Sequence, residues 1–360
     1  MKKRLLAVLL ALTLLAGLCA CGSAKKAETS EDKTISFTDS CGRTVKLPAK
    51  ITKIAPSGAV ATMILATVAP GDLVGINAAP TDAQAKYLPK NVGRLPAFGQ
   101  LYGSKSNMNL EALIAAKPQV IIDLGDKKDG MGSDLDALQK QTGIPVVFVE
   151  ADLSHMAKAY RTLGKLLSKE QRGEKLAKYV DRTMDMAEKN RAKIPEDKQK
   201  SVAYTSGVTG LNANANGSVQ AQVMDIVGAK NAVTVAQVSN KGGGNTINME
   251  QLYTFNPDVI ILTADGPYAQ MGTDKVWNKL KAVKDGKYYQ IPEEPYNWMS
   301  NPPSVNMLLG VRWLGNLLYP DIYQYDMKAE AQKFYKLFWN YSLSDQAAAT
   351  LLANSTEKAG

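Results

Sequence analysis

The sequence predicts an α/β protein of two similar lobes, each built on a central, mainly parallel sheet, joined by one long α-helix. Three observations carry that expectation. Short apolar β-branched runs alternate with amphipathic runs along the chain, the pattern of strands connected through helices. The stretch "NMNLEALIAAKPQVII" at 107–122 returns as "TINMEQLYTFNPDVII" at 246–261, with Asn, Glu, Leu, Pro, Val, Ile and Ile at a constant offset. Between the copies, a segment from about Lys169 to Lys193 holds no proline and one glycine, Gly173.

Each copy reads as a cap, a helix, a stop and a strand. Asn109 and Asn248 precede short amphipathic runs and serve as N-caps. Glu111 and Glu250 fall in the first turn, where the positive end of the helix dipole favours a carboxylate. Pro118 and Pro257 end the helices, because proline disfavours helical backbone in the residue before it. Val120-Ile121-Ile122 and Val259-Ile260-Ile261 are the buried strands that follow.

The first half opens with "ISFTDSCGRTVKLP", which alternates like a hairpin around Gly42. "ITKIAP" is a strand, "GAVATMILATVAPG" a helix that stops at Pro70-Gly71, and "DLVGINA" a further strand. A long loop leads into the first copy. "DLDALQKQTG" and "IPVVFVE" then form a helix and a buried strand, and "LSHMAKAYRTLGKLL" an amphipathic helix. The long helix follows, with Ser168 and Gln171 spaced as a capping box and Leu176, Tyr179, Val180, Met184 and Ala187 on one stripe. The second half restarts with "SVAYTSG" as a strand, a helix capped at Ser218, and "AVTV" as a short strand. After the second copy come a helix in "VWNKLKAV", the strand "KYYQI", a proline-rich loop, an apolar helix and a terminal helical region.

The N-terminus is of a different kind. "MKKR" is basic, the run "LLAVLLALTLLAGL" is too short to span a bilayer stably, and "LCAC" ends on Cys21. This resembles the lipobox of bacterial lipoproteins, which implies a signal peptide over 1–20 and a lipid on Cys21. "GSAKKAETSEDK" is polar and aperiodic, so residues 21–33 form a lipidated, flexible tether. The lobes then occupy 34–168 and 195–360, with the linker helix at 169–194. With Cys19 lost and Cys21 lipidated, Cys41 is left alone, without a disulfide partner or a cysteine metal cluster.

The formal net charge of +9 is spread among acids and includes Lys2, Lys3 and Arg4 of the leader. No arginine-rich block or aromatic-basic motif supports nucleic-acid binding. Catalytic signatures are also missing. His155 is the single histidine, there is no G-x-S-x-G elbow, H-E-x-x-H or C-x-x-C, and the glycines of "KGGGNTINME" lack the P-loop Lys-Ser/Thr. No enzyme activity and no cofactor are expected. His155 itself reads as a surface residue at a helix start.

Taken together, the lipobox, "FTDSCGRTVKLP", "NMNLEALIAAKPQVII", the long mid-chain helix and "NWMSNPPSVNMLLGVRWLGNLLYP" resemble the solute-binding lipoproteins of ABC importers for ferric siderophores, haem and cobalamin. The resemblance implies an extracytoplasmic receptor held at the bacterial cell membrane by its lipid. It would capture an iron-siderophore or related metal chelate between the lobes and deliver it to a permease dimer with its ATPase. An oxyanion such as molybdate, cobalamin and haem are the alternative cargoes; a sensor lipoprotein or an extracytoplasmic enzyme are the alternative classes. Glu111 and Glu250 match the glutamates with which such proteins dock onto permease arginines. Loops at strand ends place Ser57, Gln100 and Tyr102 on one side of the cargo and Ser206 and Trp298 on the other.

Overall fold

The computed structural model describes residues 33–102, 106–240 and 243–357. Cys21 and the leader lie outside them. The chain opens with an antiparallel hairpin, β1 (Thr34–Thr38) and β2 (Thr44–Pro48), turning at Gly42 with φ +82°. The first lobe then carries a parallel sheet of β3 (Ile54–Pro56), β4 (Val120–Gly125) and β5 (Val146–Glu150), in the order β3-β4-β5. In the second lobe, β6 (Ser201–Ser206), β7 (Asn212–Ala213), β8 (Lys230–Asn231), β9 (Asn245–Thr246), β10 (Val259–Leu262) and β11 (Tyr288–Gln290) form one sheet. Its order is β11-β10-β6-β7-β9, with β8 also on β6; β7 and β9 are its antiparallel members. The expected α/β class with mainly parallel sheets holds.

The repeated stretch occupies equivalent places. β4 and β10 are each flanked by parallel neighbours in the middle of their sheets. The preceding helices, Leu110–Ala115 and Met249–Phe255, are capped by Asn109 Oδ1, which accepts from Ala112 N at 3.0 Å, and by Asn248 Oδ1, which accepts from Gln251 N at 2.8 Å. Gln251 Oε1 in turn accepts from Asn248 N at 2.9 Å, completing a capping box. Both helices end in a left-handed residue directly before the proline, Lys117 at φ 50° and Asn256 at φ 40°.

The linker helix runs Glu170–Arg191, about 33 Å at 1.5 Å per residue. Its start differs from the expected capping box. Lys169 is the N-cap, with no side-chain bond, and Ser168 sits at φ +54°. That backbone forms the corner from helix Met156–Leu166, and it removes Ser168 from capping position. The two helices cross at glycines: a β-carbon on Gly173 would stand 2.5 Å from Tyr160 O and 3.0 Å from Gly164 Cα. A glycine in a helix interior costs roughly 1 kcal/mol of propensity, and here it permits that backbone approach.

One continuous apolar core includes the inner residues of both lobes and the linker's buried face, Leu176, Ala177, Tyr179, Val180 and Ala187. Each sheet has a smaller core on its other face. Polar ties cross the same seam. Arg172 donates to Thr67 O at 2.8 Å and to Leu337 O at 2.6 Å. Tyr87 OH donates to Glu294 Oε2 at 2.6 Å, and its ring meets Tyr335 edge-on at 5.4 Å. The terminal helical region is therefore not one helix. It breaks into Met327–Phe334, a wide turn over Tyr335–Trp339, and Asp345–Leu352; the wide turn packs Phe338 against Tyr160 and Tyr179.

Two expected strands are absent. "DLVGINA" makes only isolated bridges through Leu73 and Ile76, and "AVTV" gives way to β8 just before it. Ser218 precedes a 3-10 turn, Val219–Ala221, rather than capping helix Gln222–Val227 with its side chain.

Candidate functional site between the lobes

All strands of the first sheet end at one edge, at Pro56, Gly125 and Glu150, and β6, β10 and β11 of the second end at Ser206, Leu262 and Gln290. Loops leaving such edges form binding crevices in open α/β sheets. A narrow crevice lies there. Gly125, Asp126, Ala151 and Asp152 line it from the first lobe, and Val219, Gln222, Pro303 and Ser304 from the second. Its charged lining residues are both aspartates. A broader depression around Asp136, Gln139 and Lys140 is open surface beside the start of β5, at the opposite edge of the sheet.

The first wall is rigidly built. Ser57 is 2% exposed, and its Oγ donates a short bond to Asp123 Oδ1. Asp123 lies on β4, where burial pushes its carboxyl above the usual range despite the Ser57 bond, and its Oδ2 has no partner. Leu101 N donates to Ser57 O at 2.8 Å, which pins Gln100 and Tyr102 beside Ser57. Tyr102 OH donates to Asp134 Oδ2 at 3.2 Å, and Lys128 Nζ sits 4.0 Å above its ring. Burial raises the Tyr102 phenol as well, so it stays protonated as a donor. Asp126 is raised by burial first and by Asp152 second.

At the rim stands His155, just ahead of helix Met156–Leu166. Its Nδ1 is 2.7 Å from Asp152 Oδ2 and its Nε2 is 3.9 Å from Glu150 Oε2. The Asp152 contact raises its pKa above the ordinary histidine value. In the second lobe the strand ends carry Asp265, which accepts from Gly207 N at 3.3 Å, and Glu293, which accepts from Ala264 N at 3.0 Å and Asn297 Nδ2 at 2.8 Å. Burial raises Glu293. Acid groups thus stand at the strand ends of both lobes in a chain that is basic overall, and those lining the crevice, Asp126 and Asp152, come from the first lobe.

The structure brings Ser57, Gln100 and Tyr102 together and keeps Ser206 and Trp298 within the second lobe. Ser206 Oγ donates to Asn212 O at 3.2 Å across β6 and β7. Trp298 is 1% exposed and belongs to the shared core. Its loop lies directly on helix Met307–Leu318, where a β-carbon on Gly310 would meet Trp298 O at 2.1 Å. Sequence reasoning missed Asp126, Asp152, Gln222 and Ser304. The aspartates had a signal: each directly follows a buried strand run, "VIIDLG" and "VVFVEA". Gln222 and Ser304 had none, since tertiary packing alone brings them to the crevice.

Glu111 and Glu250 are exposed and in no ion pair among the described residues. Each helix runs opposite to the strand after it, so its N-terminus points to the edge where the strands end. Both carboxylates therefore stand on the crevice side of the molecule, one per lobe.

A family profile described as periplasmic binding protein matches residues 55–295. The molybdate-binding protein MolA of Haemophilus influenzae is 25% identical over 291 residues, 73% of this chain and 80% of that protein. The Fe(3+)-citrate-binding protein YfmC of Bacillus subtilis is 23% identical over 199 residues, 54% of this chain; the match spans 60% of YfmC, less than two thirds of its length. An ABC transporter solute binding protein from Sulfurospirillum deleyianum superposes with a TM-score of 0.80 at 29% identity, covering 90% of this chain and 100% of that one. MolA with bound molybdate, titled as the cognate binding protein of an ABC transporter, shares the fold at a TM-score of 0.65 and 21% identity, covering 86% of this chain and 99% of that one.

Proposed function

Since the chain belongs to the periplasmic binding protein family, we propose that it is the solute receptor of an ABC importer with a metal chelate, such as an iron-siderophore, as its cargo. The observation that carries the reading is the crevice between two lobes at the strand ends, with one exposed carboxylate of matching origin, outside any ion pair among the described residues, on that side of each lobe. In this reading Asp126, Asp152, Gln222 and Ser304 face the cargo. Ser57, Gln100 and Tyr102 support the first wall, and Ser206 and Trp298 support the second. No step of catalysis is involved. No described helix is long and apolar enough to cross a membrane, and the lipobox assigns attachment to a lipid on Cys21, outside the cytoplasm. Glu111 and Glu250 meet the permease.

An oxyanion such as molybdate is the second reading, favoured by the MolA match. The aspartate lining weighs against it, because a like charge in a low-dielectric cleft is unfavourable.

A strain lacking this chain is expected to lose uptake of one cargo from a panel of metal chelates, haem, cobalamin and molybdate. The wild-type gene should restore it, and Cys21→Ala should release the protein from the membrane and restore little. Uptake of the whole panel unchanged by the deletion contradicts the receptor reading.

A further inference from the structure

We propose that the basal edge of the first lobe, where its strands begin, is a docking surface for the headgroups of an anionic phospholipid bilayer. The proposal draws on the lipid at Cys21 and is independent of which cargo the crevice holds.

The chain enters the described structure at this edge. Lys33 O accepts from Ala49 N at 2.8 Å, beside Lys50. Lys53 directly precedes β3, and its O accepts from Gln119 N at 2.8 Å, at the start of β4. The Gln119 amide ties the same strip together: Oε1 accepts from Lys53 N at 3.1 Å, and Nε2 donates to Lys50 O at 3.1 Å. Lys117 stands at the left-handed end of the helix before β4, and Lys140 in the last turn of helix Met131–Thr142 before β5.

These lysines are exposed, and none has an ion-pair partner among the described residues. Two acids at this edge are already occupied: Asp72 pairs with Lys169 at 3.3 Å, and Asp136 with Arg43 at 2.8 Å. At the opposite edge the same lobe carries Glu111, Asp126, Glu150 and Asp152. The lobe is thus polarised, basic where its strands start and acidic where they end. A charge asymmetry of this kind orients a protein near a charged surface.

An anionic bilayer attracts clustered lysines over about a Debye length, roughly 8–10 Å. The anchor supplies the proximity. Cys21 lies twelve residues before Lys33, so its lipid is at most about 40 Å from this edge. A tethered patch meets its surface at high effective concentration, which favours the bilayer over a free polyanion. A chain resting on this edge turns the strand ends of the first lobe away from the bilayer, toward incoming solute. Lipid contact here and docking of Glu111 on a permease then exclude one another, so the contact holds the receptor in its collecting orientation.

The test is flotation of the chain from Gly22 onward, made without lipid, on vesicles of phosphatidylcholine alone or of phosphatidylcholine and phosphatidylglycerol in equal parts. Without its anchor the chain binds only through its surface. At about 0.1 M salt, binding to the mixed vesicles should exceed binding to phosphatidylcholine roughly tenfold or more. At about 1 M salt, where the Debye length falls to about 3 Å, it should vanish. Replacing Lys50, Lys53, Lys117 and Lys140 by glutamine should cut it roughly tenfold or more, with circular dichroism and Tm unchanged. Replacing Lys175, Lys178, Lys189 and Lys193, exposed on and just after the linker, removes the same charge and should leave most of the binding. Equal losses in the two variants would reduce the attraction to net charge and overturn the proposal, as would equal binding to both kinds of vesicle. Binding of a polyglycerol-phosphate wall polymer by the same lysines, with no binding to vesicles, overturns it as well. If vesicle binding fails while Cys21→Ala still frees the protein from the membrane, the docking surface falls and the lipid anchor stands. Vesicle binding carried by the basal lysines, with Cys21→Ala still held at the membrane, keeps the surface and removes the anchor.

Discussion

Replacing Glu111 and Glu250 together by glutamine is expected to abolish uptake while leaving cargo binding and folding at wild-type levels. Each carboxylate is placed by an asparagine cap on a short helix, is exposed, and has no ion-pair partner among the described residues. If they served only the helix dipole, each would contribute about 0.3–1 kcal/mol, and the change would appear as a small loss of stability. Docked against permease arginines, each would form a charge-assisted pair, and removing one partner of such a buried pair costs roughly 2–5 kcal/mol of association. Two such losses together leave too little complex for transport. Stimulation of the transporter's ATPase by the purified variant measures the effect. Wild-type stimulation at equal protein concentration would return both residues to a purely local role.

The second large effect is expected at Arg312. Its guanidinium is buried where helix Met307–Leu318 meets the linker. Nη1 donates to Glu330 Oε2 at 2.6 Å, Nη2 donates to Thr183 Oγ1 at 2.7 Å, and the group stacks 4.7 Å from the centre of the Tyr179 ring. Thr183 and Tyr179 belong to the linker helix, so one cation joins the linker to the second lobe. Arg312→Met leaves Glu330 buried with only Lys333, 2.8 Å away, for company. Breaking a buried pair from one side costs roughly 3–5 kcal/mol, and the surviving lysine puts the expectation near the lower end. Adding Glu330→Leu should recover most of the loss, because an apolar pair leaves no buried charge behind. Urea unfolding of both variants checks this; a loss below about 1 kcal/mol for Arg312→Met would show that the network carries little stability.

The parts legible in the sequence are those governed by near neighbours. Asn109 and Asn248 cap their helices because a side-chain oxygen needs only the backbone three residues on, and Pro118 and Pro257 act on the residue before them. The apolar runs of β4 and β10 identify central strands because both faces are covered. Ser168 shows where this reasoning stops. Its spacing to Gln171 suits a capping box, yet the glycine-to-glycine crossing of two helices turns its backbone left-handed. Trp298 sits in a loop by sequence and in the core by structure, since Gly310 lets that loop lie flat on a helix. The crevice was the least legible feature. Asp126 and Asp152 face Gln222 and Ser304 only after both lobes have packed on the linker, and no local pattern marks that pairing.

The central claim is that a small solute sits between the lobes. Native mass spectrometry with elemental analysis, on protein purified from its own host, tests it most directly. The account predicts one adduct per chain, released when the protein is unfolded and containing a transition metal. A chain that emerges free of any adduct after growth on a medium that supports uptake would contradict it.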